Sequence, residues 1–323
     1  MAITIYVQLY VSDAGILMQS FSRIAHVLAI VICAVTEGFA SYFIDPVAGN
    51  DVTGDGTELA PWRTVQRAYH MVPGTGGYTV YLAPGTYEAN VWDAKCWALL
   101  RRFNAPVVFT SSTGNAADVT IVPAPGGRRL MVLNQYYPNA WNHVFRSLTF
   151  NDGRALDANR VIEIDGAADV RDLTFEDCVF NGPIGAPTSA TLVHVRQDSD
   201  AARPRINLNF RGCTFNGNAG NSLAFDVSVK NPTTSDKLRG ITIEECTGTF
   251  GRFAWRMQAS NVEISDCNFT ATASAGGYGI LIGRDTVPET LSSLIPDNVI
   301  VFNNVVNSPN SHGILAGGGS TNV

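Results

Sequence analysis

Six stretches of the chain share one pattern of apolar and polar positions. The clearest is Leu173-Thr-Phe175-Glu-Asp177-Cys178-Val-Phe180. It returns as Leu208-Asn-Phe210-Arg-Gly212-Cys213-Thr-Phe215, Ile241-Thr-Ile243-Glu-Glu245-Cys246, Val262-Glu-Ile264-Ser-Asp266-Cys267-Asn-Phe269 and Val299-Ile-Val301-Phe-Asn303-Asn304-Val-Val306. Leu148-Thr-Phe150-Asn-Asp152-Gly153 reads as an upstream relative. Apolar first and third positions around a mostly polar second are strand alternation, resumed at the sixth and eighth positions after a two-residue break. The break predicts a bend. Its second residue is Asp152, Asp177, Gly212, Glu245, Asp266 or Asn303, and all but Glu245 are types that tolerate a left-handed backbone. Successive copies start 25, 35, 33, 21 and 37 residues apart in constant phase. Such spacing marks a solenoid whose coils stack by parallel strand pairing, the longer coils carrying insertions at one corner.

A further strand per coil lies between the repeats: Val161-Ile-Glu163-Ile-Asp165, Leu192-Val-His194-Val-Arg196, Ala224-Phe-Asp226-Val-Ser228, Ala254-Trp-Arg256-Met257, Gly279-Ile-Leu281-Ile-Gly283 and Gly313-Ile-Leu315-Ala-Gly317. Turning their apolar partners inward leaves Glu163, His194, Asp226 and Arg256 outward, one per coil and about 4.8 Å apart. Glu163 and Asp226, two coils apart with His194 between them, match the upper end of the carboxylate separation used by inverting glycosidases. Equally, His194 or Arg256 could abstract the proton next to a uronate carboxylate, with arginine or a cation neutralising the developing charge. The bland alternative is that outward positions of any solvated sheet are polar and that mixed signs avoid repulsion between rows. Arg146, Arg171 and Arg239, each two residues before a repeat start, form a second column suited to an acidic polysaccharide, or to covering apolar surface and satisfying turn carbonyls. Tyr136, Tyr137 and Trp141 cluster in an insertion, to stack on sugar rings or to pack locally.

The first part of the chain departs from this pattern. Arg23 precedes an apolar run from Ile24 to Val35, and Gly38-Phe39-Ala40 closes it with small residues at the positions a signal peptidase reads. Residues 1–40 are therefore expected to be a leader, with the true start at Met18 as an option and a buried N-terminal helix as the alternative. The run is too short for a stable membrane span. Farther on, Thr64 caps an expected short helix whose Val65, Ala68, Tyr69 and Val72 share one face, a lid for the open solenoid end. Tyr78–Leu82 supplies the first coil strand, and strands are expected at 107–110, 119–122, 129–133 and 143–145.

From Tyr42 to Tyr87 the sequence holds Asp45-Pro46, Gly49-Asn50-Asp51, Asp55-Gly56-Thr57, the Arg63-Thr64 helix start and Val80-Tyr-Leu-Ala-Pro-Gly-Thr-Tyr87. With the repeats, this resembles secreted proteins of the pectate-lyase-like superfamily, an uncharacterised bacterial subgroup above all. The resemblance implies an all-β fold, a right-handed parallel β-helix solenoid with a short N-terminal capping helix over residues 41–323. It leaves function open, because the superfamily includes polysaccharide lyases, glycoside hydrolases, tailspikes and adhesins. The superfamily's catalytic signatures do not transfer: Ser311-His312-Gly313 is a partial echo of the polygalacturonase pattern without its acidic partners.

Composition narrows the rest. A net charge of −6 offers no basic field for nucleic acid or an anionic membrane surface. Of six cysteines, Cys178, Cys213, Cys246 and Cys267 share one repeat phase and are expected as reduced, stacked core residues, with a bridge between adjacent coils as the alternative. Asn304 takes the same slot one coil later and needs hydrogen-bond partners there. The loop Asp51-Val-Thr53-Gly-Asp55-Gly56 partly resembles a calcium loop but has Trp62 where the bidentate acid belongs, so Ca2+ is the one cofactor it suggests. The chain ends where another coil should begin, an expected truncation. The sequence thus points to a secreted, cell-surface or periplasmic β-helix that binds an extracellular, acidic polysaccharide or cell-surface glycan and acts on it as a lyase or hydrolase. A non-catalytic adhesin or structural surface protein is the alternative.

Overall fold

The computed structural model describes residues 41–90, 96–98, 101–125, 127, 129–133, 139–151, 160–164, 169–182, 191–197, 205–217, 223–229, 238–251, 253–257, 259–272, 278–282, 298–307 and 313–316. The expected leader, Tyr136, Tyr137 and His312 lie outside them.

Each coil crosses three parallel sheets. Sheet I has nine strands: Ser41–Ile44, Tyr78–Leu82, Arg102–Ser111, Asn139–Arg146, Asp169–Glu176, Arg205–Arg211, Leu238–Glu244, Ser260–Ser265 and Val299–Phe302. Sheet II has eight short ones, from Gly85–Ala89 through Val179–Asn181 to Val305–Asn307. Sheet III has eight: Trp97–Ala98, Arg129–Leu133, Arg160–Ile164, Thr191–Gln197, Leu223–Val229, Phe253–Met257, Tyr278–Ile282 and Ile314–Ala316. The chain is a right-handed parallel β-helix, so the fold implied by the resemblance is the fold observed.

The bend between sheets I and II behaves as its residues dictate. Ser147, Asp177, Gly212, Glu245, Asp266 and Asn303 all have φ between 51° and 59°. Glu245 holds the same left-handed conformation as its column despite its poorer intrinsic tolerance for it. A second left-handed column lies just before the first repeat position: Asn142, Asp172, Asn207, Gly240, Asn261 and Asn298. Its short polar side chains bond from coil to coil, Asn207 Nδ2 donating to Asp172 Oδ1 at 2.7 Å and Asn298 Nδ2 to Asn261 Oδ1 at 2.9 Å.

One register differs from the sequence reading. Leu148 does not open a repeat: Thr149 and Phe150 pair with Val179 and Phe180 in sheet II, and it is His143 that pairs with Leu173. The true copy is His143-Val-Phe145-Arg-Ser147-Leu148-Thr-Phe150, and its bend falls at Ser147 rather than Asp152. The sheet I and sheet II segments of a coil both alternate apolar and polar, so a slip of five residues from one to the other preserves the pattern. His143 disguised the correct frame by putting a polar residue at an inward position.

Inside, aromatic rings stack along the solenoid axis. Phe109, Phe145, Phe175 and Phe210 follow one another at 5.6, 5.2 and 5.1 Å in sheet I, and Phe150, Phe180 and Phe215 at 5.3 and 4.9 Å in sheet II. Gly248 occupies the next slot of that sheet II file, and Trp255 from sheet III contacts the rings on either side of it, Phe215 and Phe269. The four repeat cysteines are buried free thiols. Each thiol donates to the same two carbonyls, one from the preceding coil and one two residues back, as Cys213 does to Phe175 O and Arg211 O at 3.5 and 3.4 Å. Asn304 reproduces this with its amide, Nδ2 donating to Ile264 O and Phe302 O at 2.8 Å while Oδ1 accepts from Cys267 N at 3.0 Å.

The cap is the helix α1, Val65–Met71, with Val65, Ala68 and Tyr69 buried against the first coils. Thr64 caps it, accepting from Arg67 N at 3.1 Å and donating to Asp51 Oδ2 at 2.6 Å. Asp51 Oδ1 accepts from the Arg63 and Thr64 amides, and Asp55 Oδ1 from Thr57 N, so the carboxylates of the calcium-like loop hold backbone donors. At the other end of the helix Arg101 Nη1 donates to Tyr69 O at 2.7 Å and Val72 O at 2.5 Å, binding the terminal carbonyls to the first turn of the solenoid.

Candidate functional site

The outward row of sheet III is in register across five coils. Val132 pairs with Glu163, Glu163 with His194, His194 with Asp226 and Asp226 with Arg256. The four candidate residues therefore form one file on adjacent strands, as the alternation requires. Their environment differs from the solvated sheet surface expected of that row: Glu163, His194 and Asp226 are only 1%, 5% and 3% exposed. Even the next position in the file is apolar and covered, since Val132 packs with Cys96 and Ala98 in a small cluster of its own.

Within that file the charges are arranged in two parts. Glu163 is clasped by two arginines, Arg160 Nη1 on Oε1 and Arg129 Nε on Oε2. Arg160 lies three residues earlier in the same strand, and Arg129 is its partner in the preceding coil. Burying a carboxylate is costly unless it is paired, and this clasp supplies a donor for each oxygen. With both oxygens engaged, neither is left to carry a proton toward a leaving group. One coil on, His194 Nε2 stands 3.6 Å from Asp226 Oδ2. At that separation the carboxylate lies within ion-pair range of the ring and favours its protonated form. Arg256 comes next in register; its side chain lies outside the described set.

The arginine column expected from the sequence divides in two. Arg146 belongs to the fourth repeat position, where Arg146, Glu176, Arg211 and Glu244 follow one another in register. Its Nε donates to Glu176 Oε2 at 2.7 Å, and Arg211 Nε lies 3.2 Å from Glu244 Oε2, so this file is a ladder of alternating charge. The mistaken placing of Leu148 had put Arg146 in the wrong row. Arg171 and Arg239 do share a row, which runs Arg102, Trp141, Arg171, Ile206, Arg239, Ser260. There the Trp141 ring carries a guanidinium from each neighbouring strand, Arg102 at 4.3 Å and Arg171 at 4.5 Å from its centroid. That contact covers the ring faces a sugar would need. Asp169 braces both cations, accepting from Arg171 Nε at 2.9 Å and lying 3.6 Å from Arg102 Nη2.

Arg102, Arg129, Arg160 and Asp169 were missed from sequence. Aligning Arg129-Leu-Met-Val-Leu133 under Arg160-Val-Ile-Glu163-Ile would have shown the two arginines one above the other. Arg102 was hidden by the register shift between it and Val107. Among the described residues no three His, Cys, Asp or Glu side chains converge as metal ligands, and no helix is long and apolar enough to cross a membrane.

Residues 47–94 match a family described as "Protein of unknown function (DUF1565)". Among solved structures the chain is similar to the pectin methylesterase from Aspergillus niger in deglycosylated form, at 12% identity and a TM-score of 0.46, covering 87% of this chain and 91% of that one. It is also similar to Escherichia coli ybhc, at 11% identity and a TM-score of 0.46, covering 82% and 71%. Likeness at these values carries no argument about chemistry. A comparison with curated proteins found no match.

Proposed function

We propose that the chain is a secreted β-helix protein that binds an acidic extracellular polysaccharide and acts on it by proton abstraction at His194. The observation that carries the reading is the juxtaposition of His194 and Asp226 on adjacent strands, 3.6 Å apart, between Glu163 and Arg256 in register. In a lyase-type step His194 takes the proton beside a uronate carboxylate, Asp226 stabilises the imidazolium, and Arg256 offsets the charge gathering on the carboxylate; the electrons of the broken C–H bond form a C=C bond as the adjacent glycosidic C–O bond breaks, and the departing oxygen takes a proton from water. The clasp on Glu163 disfavours the hydrolytic alternative, which asks one carboxyl of the pair to donate a proton.

The test is incubation with uronate-containing and neutral polysaccharides, read by absorbance of unsaturated uronate and by reducing ends. Unsaturated product from a uronate polymer, abolished in His194→Ala and Asp226→Asn while cooperative unfolding persists, is the expected result. Reducing ends without unsaturation would overturn the elimination step. A second reading, a non-catalytic glycan-binding or surface protein, is favoured by the near-complete burial of the same pair. Binding without any product across the panel would establish it over the first.

A further inference from the structure

We propose that the outer face of sheet II is an ice-binding surface, on which two files of threonine and asparagine take positions in a water lattice. The first file runs through Thr214, Thr247 and Asn268 on successive coils, and the second, two residues on in each strand, through Asn216, Thr249 and Thr270. Between them Phe215 and Phe269 turn inward, so both files face out. Asn216, Thr247, Asn268 and Thr270 are exposed, and Thr214 and Thr249 are half-buried. The strands on either side, Val179–Asn181 and Val305–Asn307, continue the files with valine and asparagine. Neighbouring members of a file are one strand spacing apart, about 4.8 Å, and the two files lie about 6.6 Å from each other. The proposal is independent of the His194–Asp226 pair, which belongs to sheet III.

Three features point to ice rather than to a dissolved ligand. The first is spacing. Tetrahedral water with hydrogen bonds of about 2.75 Å has second neighbours about 4.5 Å apart and a repeat of about 7.3 Å in the perpendicular direction, so each spacing of the sheet lies within about a tenth of the lattice. The second is chemistry. A threonine hydroxyl and an asparagine amide each donate and accept, as lattice water does, whereas a charged group keeps a hydration shell that ice does not accommodate. From Val179 to Asn307 the two files hold no charged residue. The outer face of sheet I, by contrast, carries the ladder of Arg146, Glu176, Arg211 and Glu244 and, farther along, Glu263. Asp177, Glu245 and Asp266 stand at the bend beside the sheet II face, outside both files. The third feature is a flat and ordered array. No register shift interrupts sheet II over these coils, and the inner rings of Phe180 and Phe215 stack within 13° of parallel. The outer side chains are tied to one another and to the backbone: Asn216 Nδ2 donates to Asn181 Oδ1 at 2.8 Å, Thr249 Oγ1 to Gly217 O at 2.9 Å, and the Thr214 and Thr247 hydroxyls lie 3.4 Å apart. Order present before binding removes much of the entropy cost that many weak contacts would otherwise carry.

Partition of the full chain into ice tests the proposal: a dilute solution is frozen slowly onto a cooled probe, and the protein is measured in the ice and in the remaining liquid. The wild type is expected to be enriched in the ice and to restrain recrystallisation of a polycrystalline ice film. Thr247→Lys and Thr270→Lys should each lower that enrichment by about tenfold, because one hydrated ammonium holds neighbouring positions off the lattice and contact is lost across the array. Thr242→Lys makes the same change of charge on the outer face of sheet I and should match the wild type. Thermal unfolding followed by circular dichroism separates loss of the face from loss of the fold, and the use of two sites on adjacent coils guards against a structural role for either. Exclusion of the wild type from ice overturns the proposal, as does equal capture of the wild type and both sheet II variants, or an equal loss in Thr242→Lys. Retention on crystalline cellulose or chitin without capture by ice, lost in the same two variants, assigns the face to a solid glycan and overturns it too. None of these results bears on the uronate assay, so the sheet II face and the sheet III site fail separately.

Discussion

The inner column of Cys178, Cys213, Cys246 and Cys267 and the outer column of Glu163, His194 and Asp226 are built by the same stacking and use it for opposite ends. Each is a single file at strand spacing, and each is buried. In the inner file every residue meets the same two carbonyls, so one residue type recurs and the column adds the same small increment at every coil. In the outer file each residue differs from the next and has its own compensation, Glu163 from Arg129 and Arg160 beside the file and His194 from Asp226 within it. Uniformity marks scaffold; in the outer file, change from coil to coil places unlike chemistry side by side, which is what a site requires.

The comparison is broken most severely by removing compensation from the outer file. Replacing Arg129 and Arg160 together by alanine leaves the Glu163 carboxylate buried and unpaired, and is expected to cost about 3–5 kcal/mol of stability. Glu163→Gln should cost less, about 1–2 kcal/mol, because the freed arginine side chains, 44% and 26% exposed, already reach water. Urea denaturation of the two variants measures the difference. Equal losses would mean that the arginines serve as packing and that the outer file is not organised by charge.

The interior admits polarity too, and His143 tests on what terms. It occupies the first repeat position facing inward, fully buried among Tyr69, Phe103 and Phe145, with Tyr69 OH 2.9 Å from its Nε2. Burial pulls its imidazole from 6.5 down to about 3. Because the folded-state value lies below the unfolded one, the unfolded chain takes up a proton that the folded chain refuses as pH falls from 6.5 toward 3. Stability contributed by the neutral ring is thus complete above 6.5 and is lost on acidification, at up to about 1.4 kcal/mol per pH unit. Thermal unfolding across that window should show the slope in the wild type and a flatter profile in His143→Gln. An unchanged slope would assign it to the carboxylates instead.

Most of the scaffold was legible because the repeat is periodic and its bend has a steric demand that few residues meet. The phase of Leu173, Leu208, Ile241, Val262 and Val299 fixed the stacking, and with it the thiol column and the outer file. What escaped was pairing between coils at polar positions. His143 broke the apolar pattern because its partner, Tyr69, lies 74 residues away on the cap. The clasp on Glu163 depends on Arg129 standing over Arg160, and the Trp141 contacts on a strand whose register shifts between Arg102 and Val107. Alternation reports which face a residue takes. It does not report whether that face is covered, and so the burial of His194 and Asp226 could not be read.

The mildest test returns to the inner column at its amide member, Asn304. Asn304 takes over both carbonyls used by the thiols, and also receives Cys267 N. Asn304→Cys should restore the uniform file and stay within about 1 kcal/mol of the parent, since a thiol is a weaker donor that still reaches the same acceptors. Asn304→Val fills similar space with no donor or acceptor, strands two carbonyls and an amide, and should cost about 1–3 kcal/mol. The two variants differ in one property, hydrogen bonding. If their denaturation midpoints coincide, the cysteines are held in their column by volume alone.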